Sequence, residues 1–170
     1  MPDTFQEYEG AQPARPVFLT VLCILTFIGS AYYIITGGIQ VFEAEKQAQS
    51  LVVAREKAEA DIKKSGDENA GTRMAGKMIN SMSLLTAENI RSMGIATVVS
   101  GIFCLLGALM MWKQRKTGFY LYIVGTLVGI VSPFLIFGNS NMLAIMQSLA
   151  SGFVGIVFII LYGVNFKHLR

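Results

Sequence analysis

The chain has 170 residues, of which 53% are hydrophobic and 15% are charged, and its mean hydropathy is +0.53. A soluble domain typically carries about 25% charged residues, so this composition argues against a single soluble core. The formal net charge of +3 comes without a basic patch interleaved with aromatic residues, which argues against a nucleic-acid partner.

Uncharged apolar stretches occur four times, each close to the ~20 residues needed to cross a ~30 Å hydrocarbon core. They predict an all-α, polytopic membrane protein. Its four transmembrane helices are expected over residues 17–39, 94–112, 118–138 and 142–166. The polar, proline-containing residues 1–16 predict a mobile cytoplasmic tail. Residues 167–170 are expected to form a second cytoplasmic tail.

Residues 40–93 form a long charged segment between the first two stretches. Its first part carries mostly small and apolar residues at alternating intervals of three and four, which is typical of one helix face. These are Val41, Ala44, Ala48, Leu51, Arg55, Ala58 and Ile62. The turn-like sequence SGDENAGT follows at 65–72. A second run of helical spacing then comprises Met74, Met78, Ser81 and Leu85. The segment predicts an extramembrane helical hairpin between transmembrane helices 1 and 2.

Basic residues near the membrane ends set the expected orientation. The short loop 113–117 contains Lys113, Arg115 and Lys116 and no acidic residue, and the C-terminal tail adds Lys167 and Arg170. By the positive-inside rule both segments are cytoplasmic. An even number of spans then makes the N-terminus cytoplasmic and places the hairpin on the other side. We expect a bacterial inner membrane, in which case residues 40–93 are periplasmic.

Two transmembrane stretches carry pairs of small residues four apart, a spacing that lets another helix approach closely. These pairs are Gly125 with Gly129 and Ser151 with Gly155. Packing within the chain and packing against a partner are both consistent with the pattern. Pro133 follows Ser132 near the end of the third span and is expected to free a carbonyl that Ser or Thr satisfies.

Catalytic and metal-binding patterns are absent from the sequence. No charged residue or histidine lies inside a predicted span, and the only histidine, His168, lies in the tail. Proton relays and ion-coupled carriers usually need such a residue. The sequence contains no GxSxG, P-loop or GxGxxG pattern. Cys23 and Cys104 lie in apolar runs without metal-ligand spacing. We therefore expect a protein that is not an enzyme and has no cofactor or metal.

The basic-aromatic junction RKTGFYLY at residues 115–122, together with the four-span layout, resembles small bacterial inner-membrane proteins with four helices. That resemblance implies a topology and no activity. The large loop between the first two spans is also similar to the layout of claudins. However, the loop here has no Cys or Trp and its pattern is helical.

These observations favour a non-catalytic accessory or assembly subunit of a larger membrane complex, in contact with the lipid bilayer and with a membrane-protein partner or further copies of itself. Its expected contact residues lie on the second arm of the hairpin and on the small-residue faces. They are Met74, Met78, Met82, Leu85, Gly125, Gly129, Ser151 and Gly155.

The alternative function is a small oligomeric channel or transporter. Its pore would be lined by hydroxyl and amide side chains of the third and fourth spans, which can conduct without a charged residue. These side chains are Thr126, Ser132, Gln147, Ser148 and Ser151.

Overall fold

The computed structural model describes residues 16–65, 69–138 and 142–166, which form six helices. They are α1 (Val17–Phe42), α2 (Ala44–Ser65), α3 (Ala70–Met82), α4 (Ala87–Trp112), α5 (Thr117–Phe137) and α6 (Met142–Val164). The all-helical fold expected from the sequence is confirmed. Helices α1, α4, α5 and α6 are long and apolar enough to cross a membrane, which is compatible with an integral membrane protein. Residues 1–15 of the predicted N-terminal tail lie outside the described residues. The predicted C-terminal tail, which contains Lys167 and Arg170, also lies outside them.

Two helix boundaries differ from the simple division into spans and hairpin. Backbone hydrogen bonding continues from α1 into α2, because Glu43 donates to the Ile39 carbonyl (2.8 Å) and accepts from the Gln47 N–H (2.9 Å). At the other end of the charged segment, the helical pattern is interrupted between α3 and α4. The Thr86 side chain accepts a hydrogen bond from the Asn89 N–H (3.2 Å) and so begins α4 at Ala87.

Helix α2 contacts α3 and α4, and α3 contacts α6. The face of α2 expected to be apolar is its less exposed face, with Ala44 buried and Leu51 half-buried. In α3 the buried residues are Ile79 and Ser81, while Met74 is 58% exposed. Ile79 and Ser81 are two residues apart and so lie on different sides of α3, in keeping with its contacts to both α2 and α6.

The four long helices pack in the order α1, α4, α5, α6. Glycines bring the backbones of the first three close together. A β-carbon added at Gly37 would lie 2.8 Å from the Gly94 carbonyl oxygen, and one at Gly107 would lie 2.8 Å from the Gly118 carbonyl oxygen. Such close approach through small residues is a main source of helix association in membranes, where burial of apolar surface adds little.

The buried core lies near the turn that joins α4 to α5, and we call this region the sealed end. Its buried residues are Leu19, Leu22, Cys23, Met111, Tyr122 and Tyr162. The Thr26 and Tyr162 hydroxyls are 2.8 Å apart and link α1 to α6. The rings of Tyr122 and Tyr162 meet edge to face with centroids 5.3 Å apart. All four long helices thus meet at this end.

The turn between α4 and α5 is tight and strongly basic. Gln114 adopts a left-handed conformation (φ 59°), and the Arg115 N–H reaches back to the Met110 carbonyl (2.9 Å). This is the hydrogen-bond pattern of a helix ending in a Schellman motif, with glutamine where glycine is usual. The turn leaves the side chains of Lys113, Arg115 and Lys116 exposed.

Candidate functional site

Helices α1 and α6 separate from each other away from the sealed end. A cavity of about 710 Å³ lies between them, and we call it the crevice. Its walls are Tyr32, Tyr33 and Thr36 of α1 and Met146, Gln147 and Ala150 of α6. Gln40 of α1 also lines the crevice. The remaining lining comes from α2, the segment before α4, α4 itself and the end of α5, namely Gln47, Leu51, Leu85, Ile90, Met93, Thr97 and Phe137.

A smaller cavity of about 70 Å³ adjoins the crevice between the long helices, and we call it the deep pocket. The two cavities share Tyr33, Met93, Thr97 and Gln147, so they are neighbours. Most of the deep pocket's other side chains are small or carry a hydroxyl or a thiol. They are Ser100, Cys104, Tyr122, Thr126, Gly129, Ser132, Ser151, Val154 and Gly155. The pocket therefore offers hydrogen-bonding groups at a depth where the helices are otherwise apolar.

Several of these hydroxyls already donate to backbone carbonyls. Ser100 donates to the Gly125 carbonyl (2.7 Å), Thr126 to the Tyr122 carbonyl (3.0 Å) and Ser151 to the Gln147 carbonyl (2.8 Å). A hydroxyl that has used its proton keeps its lone pairs. Ser100 and Thr126 also form side-chain hydrogen bonds with Cys104, so Ser151 is the hydroxyl of these three with lone pairs best placed to accept a further hydrogen bond.

Two buried polar atoms in this region have no hydrogen-bond partner among the described residues. They are the Oγ of Ser132, which lines the deep pocket, and the Oε1 of Gln40, which lines the crevice. The Ser132 side chain belongs to a residue that is only 9% exposed. Leaving such a group unpaired costs about 1–3 kcal/mol, and a hydrogen-bonding molecule in the adjoining cavity, a water included, would satisfy it.

The side chains expected to line a pore largely come together. Thr126, Ser132, Gln147 and Ser151 all line the deep pocket. Ser148 instead donates to the Ile130 carbonyl (2.9 Å), in the turn before Pro133. A serine of α6 thus satisfies a backbone carbonyl near the proline and joins α6 to α5.

The residues expected to contact a partner lie in two separate places. Gly125, Gly129 and Gly155 face neighbouring helices of the same chain, where added β-carbons would meet Cys104, Ser100 and Thr126 respectively, while Ser151 lines the deep pocket. On the charged segment, Met74 is 58% and Met78 42% exposed. Met82 is half-buried, and Leu85 lines the crevice.

Sequence reasoning missed the contribution of α1 to this site. Thr26, Ser30, Tyr33, Gly37 and Gln40 follow one another at intervals of three and four, which places them on one side of a helix. This stripe, polar except at Gly37, runs from the sealed end to the crevice. The spacing of these residues could have indicated the site, because polar residues on one face of an otherwise apolar helix usually serve packing or binding.

The lining residues described for the two cavities include no acidic, basic or histidine side chain. Within the described ranges, no group of three or more His, Cys, Asp or Glu side chains could hold a metal ion. The chemistry available here is neutral hydrogen bonding and apolar contact. No protein-family model, curated protein or solved structure matches this chain.

Proposed function

We propose that this chain is a non-catalytic integral membrane protein that takes an apolar or amphipathic small molecule from the bilayer into the crevice. The observation that carries the proposal is the cavity of about 710 Å³ between α1 and α6. Sites for small molecules usually measure about 300–1,000 Å³, with mostly apolar walls and a few polar groups. In this proposal the ligand enters from the hydrocarbon between α1 and α6, which are both long and apolar enough to cross a membrane.

The sealed end favours binding over conduction. A channel needs a continuous path from one side of the membrane to the other. Here Leu19, Leu22, Met111 and Tyr162 are buried beyond the deep pocket, and the Thr26–Tyr162 hydrogen bond joins α1 to α6. The alternative function, a channel or transporter, would require this core to separate during each transport cycle.

The proposed orientation places the sealed end and both termini on the cytoplasmic side, because Lys113, Arg115 and Lys116 lie at the adjoining turn. The crevice then belongs to the opposite half of the membrane. Helices α2 and α3 form an extracytoplasmic hairpin beside it, which is periplasmic in a bacterial inner membrane.

Labelling tests this orientation. Cysteines replace the exposed residues Ala60 on α2 and Thr117 at the start of α5, in a chain whose two native cysteines are alanine. An impermeant maleimide applied to intact cells should label Ala60→Cys and leave Thr117→Cys unlabelled until lysis. The reverse pattern would invert the topology.

The binding function is tested by filling the crevice. Ala150 lines it, whereas its neighbour Leu149 is 73% exposed and does not. We expect protein purified from native membranes in mild detergent to retain about one small molecule per chain in native mass spectrometry. Ala150→Trp should abolish that retention, and Leu149→Trp, the matched control, should preserve it.

Two results would contradict the binding function. One is a wild-type chain that retains no small molecule under conditions in which it remains folded. The other is equal retention by both tryptophan variants, since a molecule held outside the crevice would not respond to the position of the added ring.

A second candidate function, the accessory subunit, is supported by the exposed methionines of α3. Met74 and Met78 lie on a short helix together with Arg73 and Lys77, and methionine-rich surfaces adapt to varied partners. The double substitution Met74→Glu and Met78→Glu should release a co-purifying membrane protein, while Asn80→Glu on the same helix should not. Retention of the partner by the folded double variant would count against α3 as its docking site.

A further inference from the structure

We propose that the molecule held in the crevice is an uncharged single-chain lipid, with its hydroxyl or carbonyl group bound by Ser132 and Gln147 in the deep pocket. Its chain leaves through the gap between α1 and α6. This inference rests on the proposed binding function and specifies the ligand.

The absence of charged groups from the cavity lining selects against ionised head groups. An ionised group in the hydrocarbon region is costly unless it is paired. Arg and Lys are the residues that pair with phosphates and carboxylates, and neither lines the crevice or the deep pocket in the described part of the chain. A neutral polar group carries no such requirement.

The size of the deep pocket limits what its polar groups can hold. Its volume of about 70 Å³ exceeds the ~10–15 Å³ of cavity volume that one water needs and is well below the ~300–1,000 Å³ of a typical small-molecule site. The deep pocket therefore suits a small polar group at the end of a ligand, with the rest of the ligand lying in the crevice. An α-helix, about 10 Å across with its side chains, is excluded, so the occupant of the deep pocket is not a transmembrane partner.

The hydrogen-bonding groups suit a hydroxyl or carbonyl. Ser132 Oγ is buried, lines the pocket and has no partner among the described residues, so it can donate to the ligand oxygen. The amide of Gln147 lines both cavities and offers a donor and an acceptor. A ligand hydroxyl can satisfy both residues at once, and a carbonyl can accept from both.

The crevice provides an apolar wall for the chain. Met93 and Met146 face it from α4 and α6, and Ile90 and Phe137 add further apolar surface. Thioether side chains accommodate a flexible chain without a fixed shape. The ligand's polar end thus lies deep and its chain extends toward the lipid, which matches the order of the two cavities.

The test compares lipids that share one chain and differ only in the head group. Oleyl alcohol and oleyl phosphate, each with a photoreactive diazirine in the chain, are titrated into nanodiscs containing the full-length protein. We expect saturable labelling of α1 and α6 by the alcohol, and at least ten-fold weaker labelling by the phosphate. Ser132→Ala and Gln147→Leu should each weaken binding of the alcohol roughly five-fold, as for the loss of one hydrogen bond.

Ser83→Ala is the control, because Ser83 is exposed and lines neither cavity. Thermal unfolding identifies any variant that is not folded, and Ser132→Cys, which keeps the side-chain volume, then replaces Ser132→Ala as the hydroxyl-free variant. Equal labelling by oleyl phosphate would overturn the inference and leave the binding function intact. Binding of oleyl alcohol that is unchanged by Ser132→Ala and by Gln147→Leu would have the same consequence. Labelling by neither lipid, with no response to Ala150→Trp, would overturn the binding function itself.

Discussion

The four long helices are all apolar, yet they pack differently at their two ends. At the sealed end Tyr162 of α6 is fully buried and its hydroxyl meets Thr26 of α1. At the other end the crevice separates Tyr33 from Gln147 on the same two helices. Apolar composition therefore does not decide where membrane helices close on one another, because lipid is as good a neighbour as another side chain.

The difference follows the positions of glycine and of hydrogen-bonding groups. Gly37, Gly94, Gly107 and Gly118 hold α1, α4 and α5 at backbone contact. In α6, a β-carbon added at Gly152 would meet only the side chain of Ile130, at 3.5 Å. Helix α6 is held by side-chain contacts instead of backbone contact: Gly155 packs on the Thr126 side chain, Ser148 donates to α5 and Tyr162 meets α1. It is thus fixed at particular points and leaves space between them.

The largest effect is expected where backbones touch. A β-carbon at Gly107 would lie 2.8 Å from the Tyr122 nitrogen, and nothing lies within 4 Å of one added at Gly29. Gly107→Val should therefore lower the free energy of unfolding by about 3 kcal/mol, at the upper end of overpacking costs. Gly29→Val should leave it nearly unchanged. Both are measured by reversible unfolding in mixed micelles, and equal losses would show that the close contact is not decisive.

A smaller effect is expected at the bond that closes the sealed end. A double-mutant cycle of Tyr162→Phe and Thr26→Val should give a coupling of about 0.6–1.7 kcal/mol, the range for hydrogen bonds between membrane helices. Thr36→Val is the control partner, since the Thr36 hydroxyl donates to Tyr32 of its own helix (2.8 Å). A coupling for Thr26 no larger than for Thr36 would mean that the bond does not hold α6 against α1.

The smallest expected effect is a difference in the free energy of unfolding between variants of two serines that line the deep pocket. Ser100→Ala should cost about 1 kcal/mol, because its hydroxyl joins α4 to the Gly125 carbonyl of α5. Ser132→Ala should cost less than about 0.5 kcal/mol or stabilise the ligand-free protein, since its hydroxyl has no described partner. Unfolding of ligand-stripped protein compares the two. A larger loss at Ser132 than at Ser100 would reveal a structural bond and remove the reason to assign it to a ligand.

The sequence predicted the parts of this fold that depend on local pattern. Long uncharged stretches marked α1, α4, α5 and α6. The hydroxyl residues Thr126 and Ser132, predicted to line a pore, lie together at the deep pocket, and their role in a pore stays a prediction. The pairing of Gly37 with Gly94 could not be read locally, because it depends on which distant backbones meet. The crevice could not be predicted from the sequence for the same reason, because a gap depends on the neighbours of a helix and not on its own composition.

The break between α3 and α4 was missed because neither glycine nor proline marks it. Residues 83–86 read Ser-Leu-Leu-Thr, and leucine is a strong helix former. The interruption depends on Thr86, whose side chain caps α4 at Asn89. A threonine before Ala87 and Glu88 is a helix-start signal, but it lies within a pattern that otherwise continues as helix.

The most direct test of the central claim is an experimental structure of the full chain in lipid nanodiscs supplemented with oleyl alcohol. We predict elongated density that passes between Tyr33 of α1 and Gln147 of α6 and ends beside Ser132, with Tyr162 still closed on Thr26. A structure in which α6 packs against α1 along its whole length, with no space between them, would contradict the account.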